Sequence, residues 1–353
     1  LFYLLYNNYF IYYIYMNIYS SVDGKNIDKI IILFNSVYIN ANKEKQSELK
    51  FYLLVDKLPD KLPFIPDYLE PLLKIKELDL DTKWLNLLND FNTYFYKSSS
   101  WCKSNMNFAR FVFFNHFPDV DRVVYLDWDM IVLADIFEIN SEYNSTNNMI
   151  VAKCGKQTTS TNIFIPEFRY SNNIQSLYLS KKLKQEHHRS TVIFKYLKLD
   201  PFHISQLQGF NAGFYIVSKE HFNEEYLIGL LRKLITIQRK FSCFNFGTQV
   251  VMNLMHIKDR IFIDKIWNHL PNISNLYSLK IIHWNGTQKP WSSKLITNNI
   301  WYDYCFKVYP EYQKKFTYQQ ENTQSNNNQS NNKIIIKNSN MKSALLKFIS
   351  SKR

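Results

Sequence analysis

The chain has 353 residues, 46% of them hydrophobic and 17% aromatic, enough core-forming material for one large α/β domain or two smaller ones. Its formal net charge of +13 suits an anionic partner (nucleic acid, a membrane surface or a phosphorylated small molecule), although part of that charge is a basic C-terminal tail. Seven glycines without a GxGxxG or GxxxxGK[ST] pattern argue against Rossmann dehydrogenases and P-loop nucleotidases, and the absence of any RNP, KH or zinc-finger pattern argues against a nucleic-acid partner.

The first residue is Leu1 rather than Met, so a longer chain is expected to precede it. "LFYLLYNNYFIYYIYM" is apolar and aromatic but is broken by Asn7 and Asn8, and it falls short of the roughly 20 residues that span a bilayer. Residues 1–15 read either as the remnant of a signal anchor or as an N-terminal strand. From Met16, "MNIYSSVD" is a predicted strand ending in small and polar residues. "NIDKIIILFNSVYINANK" then places Ile27, Ile30, Ile31, Phe34, Val37 and Tyr38 on one helical face. "LKFYLLVD" is a second buried strand, closed by Asp56. Strand, helix and strand in this order predict a βαβ unit and a parallel sheet.

Proline-rich "KLPDKLPFIPDYLEP" is a connecting loop, and "NFARFVFFNHF" is a predicted helix leading through "PDVD" into the next strand. That strand, "RVVYL", has no polar face, yet it runs into Asp127 and Asp129, one residue apart. Two carboxylates at the end of a buried strand need something to offset their desolvation and mutual repulsion.

Residues 155 to 207 carry no readable pattern, and "KKLKQEHHR" within them is a basic patch. A buried run, "FNAGFYIVS", follows, then an amphipathic helix around "EEYLIGLLRKLITIQRK", then "GTQVVMNLM" and a strand-like "SLKIIHWNG". Residues 318–353 are low in complexity, end in a basic segment and are expected to be disordered. Cys102, Cys154, Cys243 and Cys305 are scattered, with neither zinc-site nor disulfide spacing.

Ligands of open α/β sheets bind at the carboxyl ends of the strands. Three predicted strand ends here carry unusual residues: Ser20 to Asp23, Asp127 with Asp129, and His283 in "IIHWNGTQKPW". Two carboxylates and an imidazole make a partial oxygen and nitrogen shell suited to Mn²⁺ or Mg²⁺. Diphosphate oxygens would complete such a shell, and Lys289 would add a cation against the same charge.

These pieces, in this order, resemble glycosyltransferase family 8, the retaining nucleotide-sugar enzymes that include glycogenin, lipopolysaccharide galactosyltransferases and galacturonosyltransferases. The matching segments are "SSVDG", "NFARF", "FPDVDRVVYLDWDMIVLADI" with its Asp-x-Asp, "FNAGFYIV", "GTQ" and "HWNGTQKPW". The resemblance implies a GT-A type nucleotide-diphospho-sugar transferase fold over residues 16–317, an α/β fold with a mostly parallel central sheet flanked by helices. It implies that Asp127, Asp129 and His283 ligate Mn²⁺, that Gly286 lets the backbone approach the diphosphate, and that Lys289 binds it. It further implies that Arg110 and Asn211 contact the donor sugar or its phosphate, that Ser20 and Asp23 line a uridine pocket, and that Gln249 lies near the reacting face of the sugar.

Two departures from the family pattern stand out. Thr248 occupies a position where glycogenin-type and bacterial members carry Asp, and Trp128, in the middle of the Asp-x-Asp, is large enough to reshape the base or ribose pocket. The expected activity is transfer of a hexosyl or uronosyl group from a UDP-sugar to a glycan, glycoprotein or other hydroxyl acceptor. A degenerate member that binds nucleotide or glycan without turnover is the alternative. Sequons at Asn144, Asn272 and Asn328 fit a glycoprotein of the Golgi or ER lumen, anchored as a type II membrane protein if the N-terminal segment is an anchor remnant. A further sequon at Asn285 falls inside the expected diphosphate site and is therefore expected to be unmodified.

Overall fold

The computed structural model describes residues 15–95, 105–139, 148–153, 209–241, 247–255, 260–271, 278–285, 289–292 and 299–313. The expected βαβ unit is present as β1 (Met16–Val22), α1 (Ile27–Asn40) and β2 (Leu49–Val55), the two strands pairing parallel with Val22 opposite Val55. β3 (Leu73–Glu77) adds a parallel edge strand after the proline-rich loop, with exposed lysines at 74 and 76 that discourage pairing with another chain. Next come β4 (Arg122–Leu126), β5 (Met130–Val132), β6 (Met149–Ala152), β7 (Phe214–Ser218), β8 (Arg260–Ile263) and β9 (Ile281–His283).

The main sheet has the order β3-β2-β1-β4-β7-β6-β8. β7 runs antiparallel to both its neighbours, and the other pairings are parallel. β5 and β9 form a separate antiparallel pair. The mostly parallel sheet flanked by helices is the architecture that the resemblance implies.

The helices are α2 (Thr82–Phe95), α3 (Met106–Ala109), α4 (Phe113–His116), α5 (Glu224–Phe241), α6 (Thr248–Met255) and α7 (Asn299–Val308). The segment expected to be one helix, "NFARFVFFNHF", is instead two short turns, α3 and α4. Phe108, Phe111, Phe113, Phe114 and Phe117 are all buried, and one straight helix cannot turn every one of these positions to the same core. α2 shows the spacing that such a helix needs: Trp84, Leu87, Leu88, Phe91 and Phe95 share its buried face. Phe91 and Phe95 stack at 4.1 Å, and Phe108 meets both Phe91 and Trp84 edge-on. Each such side chain contributes roughly 1.5–3 kcal/mol by leaving water.

The chain divides into two compact units, Leu1–Tyr304 and Cys305–Arg353. In the second, the Tyr309 amide donates to the Cys305 carbonyl at 2.7 Å, and the Tyr309 and Tyr312 rings meet edge-on. Residues 1–14, the segment 155–207, the low-complexity tail and the sequons at Asn144, Asn272 and Asn328 lie outside the described residues. Among the described residues no helix is long and apolar enough to cross a membrane.

α1 is buried nearly all round, because it lies under β1 and also carries the β5–β9 pair. Ser36 makes that junction: its hydroxyl donates to the Leu33 carbonyl at 2.6 Å and accepts from the Val132 amide at 3.0 Å. Asn40 reinforces it by donating to the Val132 carbonyl at 2.9 Å. Ser36→Val would leave the buried Val132 amide without its acceptor, at an expected cost of about 1–3 kcal/mol. Urea unfolding should show a lower midpoint at unchanged slope; an unchanged midpoint would mean that this bond does not hold β5.

Candidate active site

Two strand registers bring the site together. β4 pairs antiparallel with β7, with Leu126 opposite Phe214, so the next residue, Asp127, lies beside Gly213 and donates its amide to the Gly213 carbonyl at 2.9 Å. β5 pairs antiparallel with β9, with Met130 opposite His283, so Asp129 lies beside Trp284, whose amide donates to the Asp129 carbonyl at 3.0 Å. An apolar strand running straight into Asp-Trp-Asp and a second apolar strand running straight into His therefore end at one place.

The side chains follow the backbone. His283 Nε2 lies 3.2 Å from Asp129 Oδ1 and 3.8 Å from Asp127 Oδ2, and one ligand atom from each of the three residues lies within 4.8 Å of the others. Asp129 and His283 are each only 2% exposed, whereas the Asp127 side chain is 25% exposed and remains reachable by a ligand.

The repulsion between the two carboxylates is offset by the protein's own cations. Arg110, buried, directs Nη2 to Asp127 Oδ1 at 3.4 Å and to the Tyr125 hydroxyl at 3.1 Å, and Nη1 to the Ala212 carbonyl at 3.2 Å. Tyr125 itself donates to Asp127 Oδ1 at 2.7 Å. Burial raises the Tyr125 phenol well above its ordinary pKa, so it stays a neutral donor. For the Arg110 guanidinium, burial opposes the charge, but Tyr125 and Asp127 outweigh it and drive the pKa upward. Both contacts fall on Oδ1 of Asp127, which leaves Oδ2 turned toward His283.

At Asp129, Lys289 Nζ donates to Oδ2 and to the Trp284 carbonyl. Burial would raise the Asp129 pKa, but His283 and then Lys289 bring it down to about 2. Oδ1 of Asp129 is buried without a hydrogen bond, facing Nε2 of the imidazole. An orphaned buried carboxylate oxygen beside a second carboxylate and an imidazole nitrogen is a donor set that a divalent cation satisfies. The three residues fit a metal ion, as the resemblance implies.

Gly213 keeps that space open. A Cβ there would stand 2.4 Å from His283 Cε1, 2.7 Å from Asp127 Oδ2 and 2.9 Å from Asn211 Oδ1. On the same side, Asn211 Nδ2 donates to Gln249 Oε1 at 3.2 Å, and the Ala212 amide donates to that oxygen at 3.1 Å. Asn253, fully buried on α6, clasps both partners: it exchanges bonds with the Phe210 amide and carbonyl and donates to the Gln249 carbonyl.

The other expected site residues take different positions. Ser20 is wholly buried and donates to the Leu126 carbonyl at 2.7 Å, so it ties β1 to the end of β4 and does not turn its hydroxyl to a pocket. Asp23 follows β1 at its carboxyl end, half-buried, and its carbonyl accepts from the Asn26 amide at 2.8 Å. Neighbouring Gly24 packs so closely on Lys57 that a Cβ would lie 2.0 Å from that carbonyl oxygen. Trp128 packs on Trp291 with ring centroids 4.8 Å apart. Thr248 is buried at the start of α6, and Gly286 lies outside the described residues. Tyr125, Gly213, Asn253 and Asn268 were not singled out by the sequence reading. Gly213 lies inside the quoted "FNAGFYIV" run.

The fold is that of the GT-A glycosyltransferases. The structure is similar to galactosyltransferase LgtC, solved in complex with donor and acceptor sugar analogues, with a TM-score of 0.54 and 13% identity over 83% of this chain and 96% of that one. It is also similar to the bifunctional glycosyltransferase WbbM in its apo form, with a TM-score of 0.52 and 18% identity over 84% of this chain and 50% of that one. No curated protein matches the chain by sequence. The model of Glycosyl transferase family 8 matches residues 1–295, and the chain belongs to that family.

Gly213→Ala is expected to push His283 and Asp127 apart and to weaken Mn²⁺ binding by the protein at least tenfold, a loss comparable with removing a ligand's supporting partner. Electron paramagnetic resonance of free Mn²⁺ checks it. Parent-like affinity would show that the three ligand atoms need not keep their present spacing.

Proposed function

We propose that the protein is a retaining glycosyltransferase that moves a hexosyl or uronosyl group from a UDP-sugar to a hydroxyl of a glycan, glycoprotein or other acceptor, with Mn²⁺, or Mg²⁺ in its place. The observation that carries this reading is the convergence of Asp127, Asp129 and His283 around an unsatisfied buried oxygen in a family 8 chain. Asp127 and Asp129 would hold the cation through oxygen and His283 through Nε2. A divalent cation held there would withdraw charge from the departing diphosphate.

The chain's own groups do the rest. Lys289 sets a second positive charge beside the same oxygen set, and Arg110 orients Asp127 without spending its reachable oxygen. Positive charge develops on the sugar as its bond to the diphosphate breaks, as in other glycosyl transfers. Gln249 Oε1 is engaged by the Ala212 amide and by Asn211, and Thr248 stands where glycogenin-type and bacterial members carry Asp. With no carboxylate supplied at that pair of positions, departure and attack take place on the same face of the sugar, without a covalent intermediate. Asp23 and the Trp128–Trp291 pair line the nucleotide end, and Gly286 admits the diphosphate to the backbone.

Donor hydrolysis over UDP-glucose, UDP-galactose, UDP-galacturonate and UDP-xylose with Mn²⁺ tests the activity, and calorimetry of UDP binding with and without Mn²⁺ tests the site. Asp129→Asn is expected to abolish Mn²⁺-dependent UDP binding and hydrolysis while leaving the fold intact. UDP binding that is equally tight in parent and variant would sink the cation assignment. Donor binding without hydrolysis or transfer would instead identify a nucleotide- or glycan-binding member, the reading that Thr248 favours.

The same reading puts the chain in the Golgi or ER lumen. Sequons at Asn144, Asn272 and Asn328 support it, and Asn285, exposed two residues after His283, is expected to carry no glycan on active enzyme. Endoglycosidase treatment of the full-length cellular protein should lower its mass; an unchanged mass would count against the lumen.

A further inference from the structure

Asn268 stands between the two halves of the site. It follows the helical turn Lys265–Trp267, on a short segment where the His269 amide donates to Ile281 at 3.3 Å and the His283 amide donates to His269 at 2.8 Å. Its side chain reaches Asn211 on one side, with Nδ2 3.4 Å from Oδ1 and 3.5 Å from the main-chain carbonyl. On the other side its Oδ1 lies 2.8 Å from Nδ1 of His283.

Two backbone amides determine which way every side-chain amide here must point. A main-chain N–H can only donate. The Gly213 amide donates to Asn211 at 2.9 Å, so the accepting atom is the oxygen of Asn211 and its NH₂ is the end that meets Gln249. The Ala212 amide donates to Gln249, so that atom is likewise an oxygen, and the NH₂ of Gln249 is the end left to meet a ligand. Because the Asn211 oxygen can only accept, the end of Asn268 that meets it is the NH₂, which turns the Asn268 carbonyl to His283. A carbonyl only accepts, so Nδ1 of His283 carries the ring proton.

The consequence falls on Nε2. In a neutral ring protonated at Nδ1, Nε2 is a bare lone pair, and it faces Asp129 Oδ1 and Asp127 Oδ2. The competing tautomer would put the proton on Nε2, where it could bond the orphaned Asp129 oxygen 3.2 Å away and close the cation site. Asp129 therefore pulls the ring toward the form that cannot ligate, and Asn268 opposes it.

We propose that Asn268, itself oriented by Asn211, is a positioning residue that selects the ligating tautomer of His283. The proposal rests on the reading of Asp127, Asp129 and His283 as a cation site. The arrangement matches the general pattern in which a ligating histidine gives its other ring N–H to a supporting acceptor.

The test uses the full chain, ¹⁵N-histidine labelling with His283→Gln to identify the signal, and two substitutions. In the metal-free parent, the neutral His283 ring should show a protonated Nδ1 and a bare Nε2. Asn268→Ala should shift the ring to the Nε2–H form and weaken Mn²⁺ binding, read by electron paramagnetic resonance, by about 10–100-fold. Asn268→Asp keeps an acceptor for Nδ1 but cannot donate to Asn211. It should keep the tautomer and near-parent Mn²⁺ affinity, rescuing what Asn268→Ala loses. An unchanged tautomer and Mn²⁺ affinity in Asn268→Ala would overturn the proposal, as would Asn268→Asp losing Mn²⁺ as fully as Asn268→Ala. A parent that binds no Mn²⁺ overturns the cation reading itself, and the ring-nitrogen signals then still decide whether Asn268 sets the tautomer.

Discussion

The buried carboxylate of Asp129 is the constraint around which the site is organised. One of its oxygens is tied to Lys289 and the other faces an imidazole nitrogen with no hydrogen bond of its own. Burying an ion is tolerated only where partners replace its water, and here both, His283 and Lys289, come from one segment far along the chain. The β5–β9 register delivers His283, the loop after it delivers Lys289, and α1 holds β5 in place through Ser36 and Asn40. A slip of one residue in that register would turn His283 to the opposite face and leave the Asp129 charge uncompensated.

Asp127 is handled differently. Its charge is met from behind by Arg110 and Tyr125, both on the same oxygen, so that the other oxygen faces the site. Arg110 can take this position because the chain breaks between α3 and α4. The surrounding phenylalanines go to the core while the guanidinium passes inward over the Tyr125 ring. The failure of the simple helix expectation for "NFARFVFFNHF" and the placement of a buried arginine beside the Asp-x-Asp are one feature of the fold.

Much of this was legible in the sequence, for identifiable reasons. Strands buried on both faces read as continuous apolar runs, so the ends of "RVVYL" and "SLKIIH" marked Asp127, Asp129 and His283 before any pairing was known. β6 and β8 were not readable, because four-residue apolar runs occur in every kind of element. β3 was missed because its lysines belong to a solvent-facing edge, and α2 was left unassigned although its apolar spacing is regular. Support residues leave almost no trace in composition or period. Asn268 is one asparagine in an asparagine-rich chain, and only the strand pairings show what it touches. Ser20 erred the other way: a small polar residue near a strand end suggested a pocket, yet its hydroxyl holds two strands together.

The chain's own residues balance the charge of the site. Asp127 and Asp129 are matched by Arg110 and Lys289, so the site carries no large uncompensated charge of its own. A divalent cation alone would upset that balance by adding positive charge beside two side-chain cations in a buried setting. A diphosphate alone would meet Lys289 but also the two carboxylates. Under the proposed function, cation and diphosphate arriving together restore the balance, since the charge of each is offset by the other. Lys289, which donates to Asp129, would turn to the diphosphate where a bound cation neutralised Asp129 in its place. A lysine suits that exchange better than an arginine would. Its compact ammonium forms no fixed bidentate fork with a carboxylate and can turn from one oxygen to another on a flexible stem.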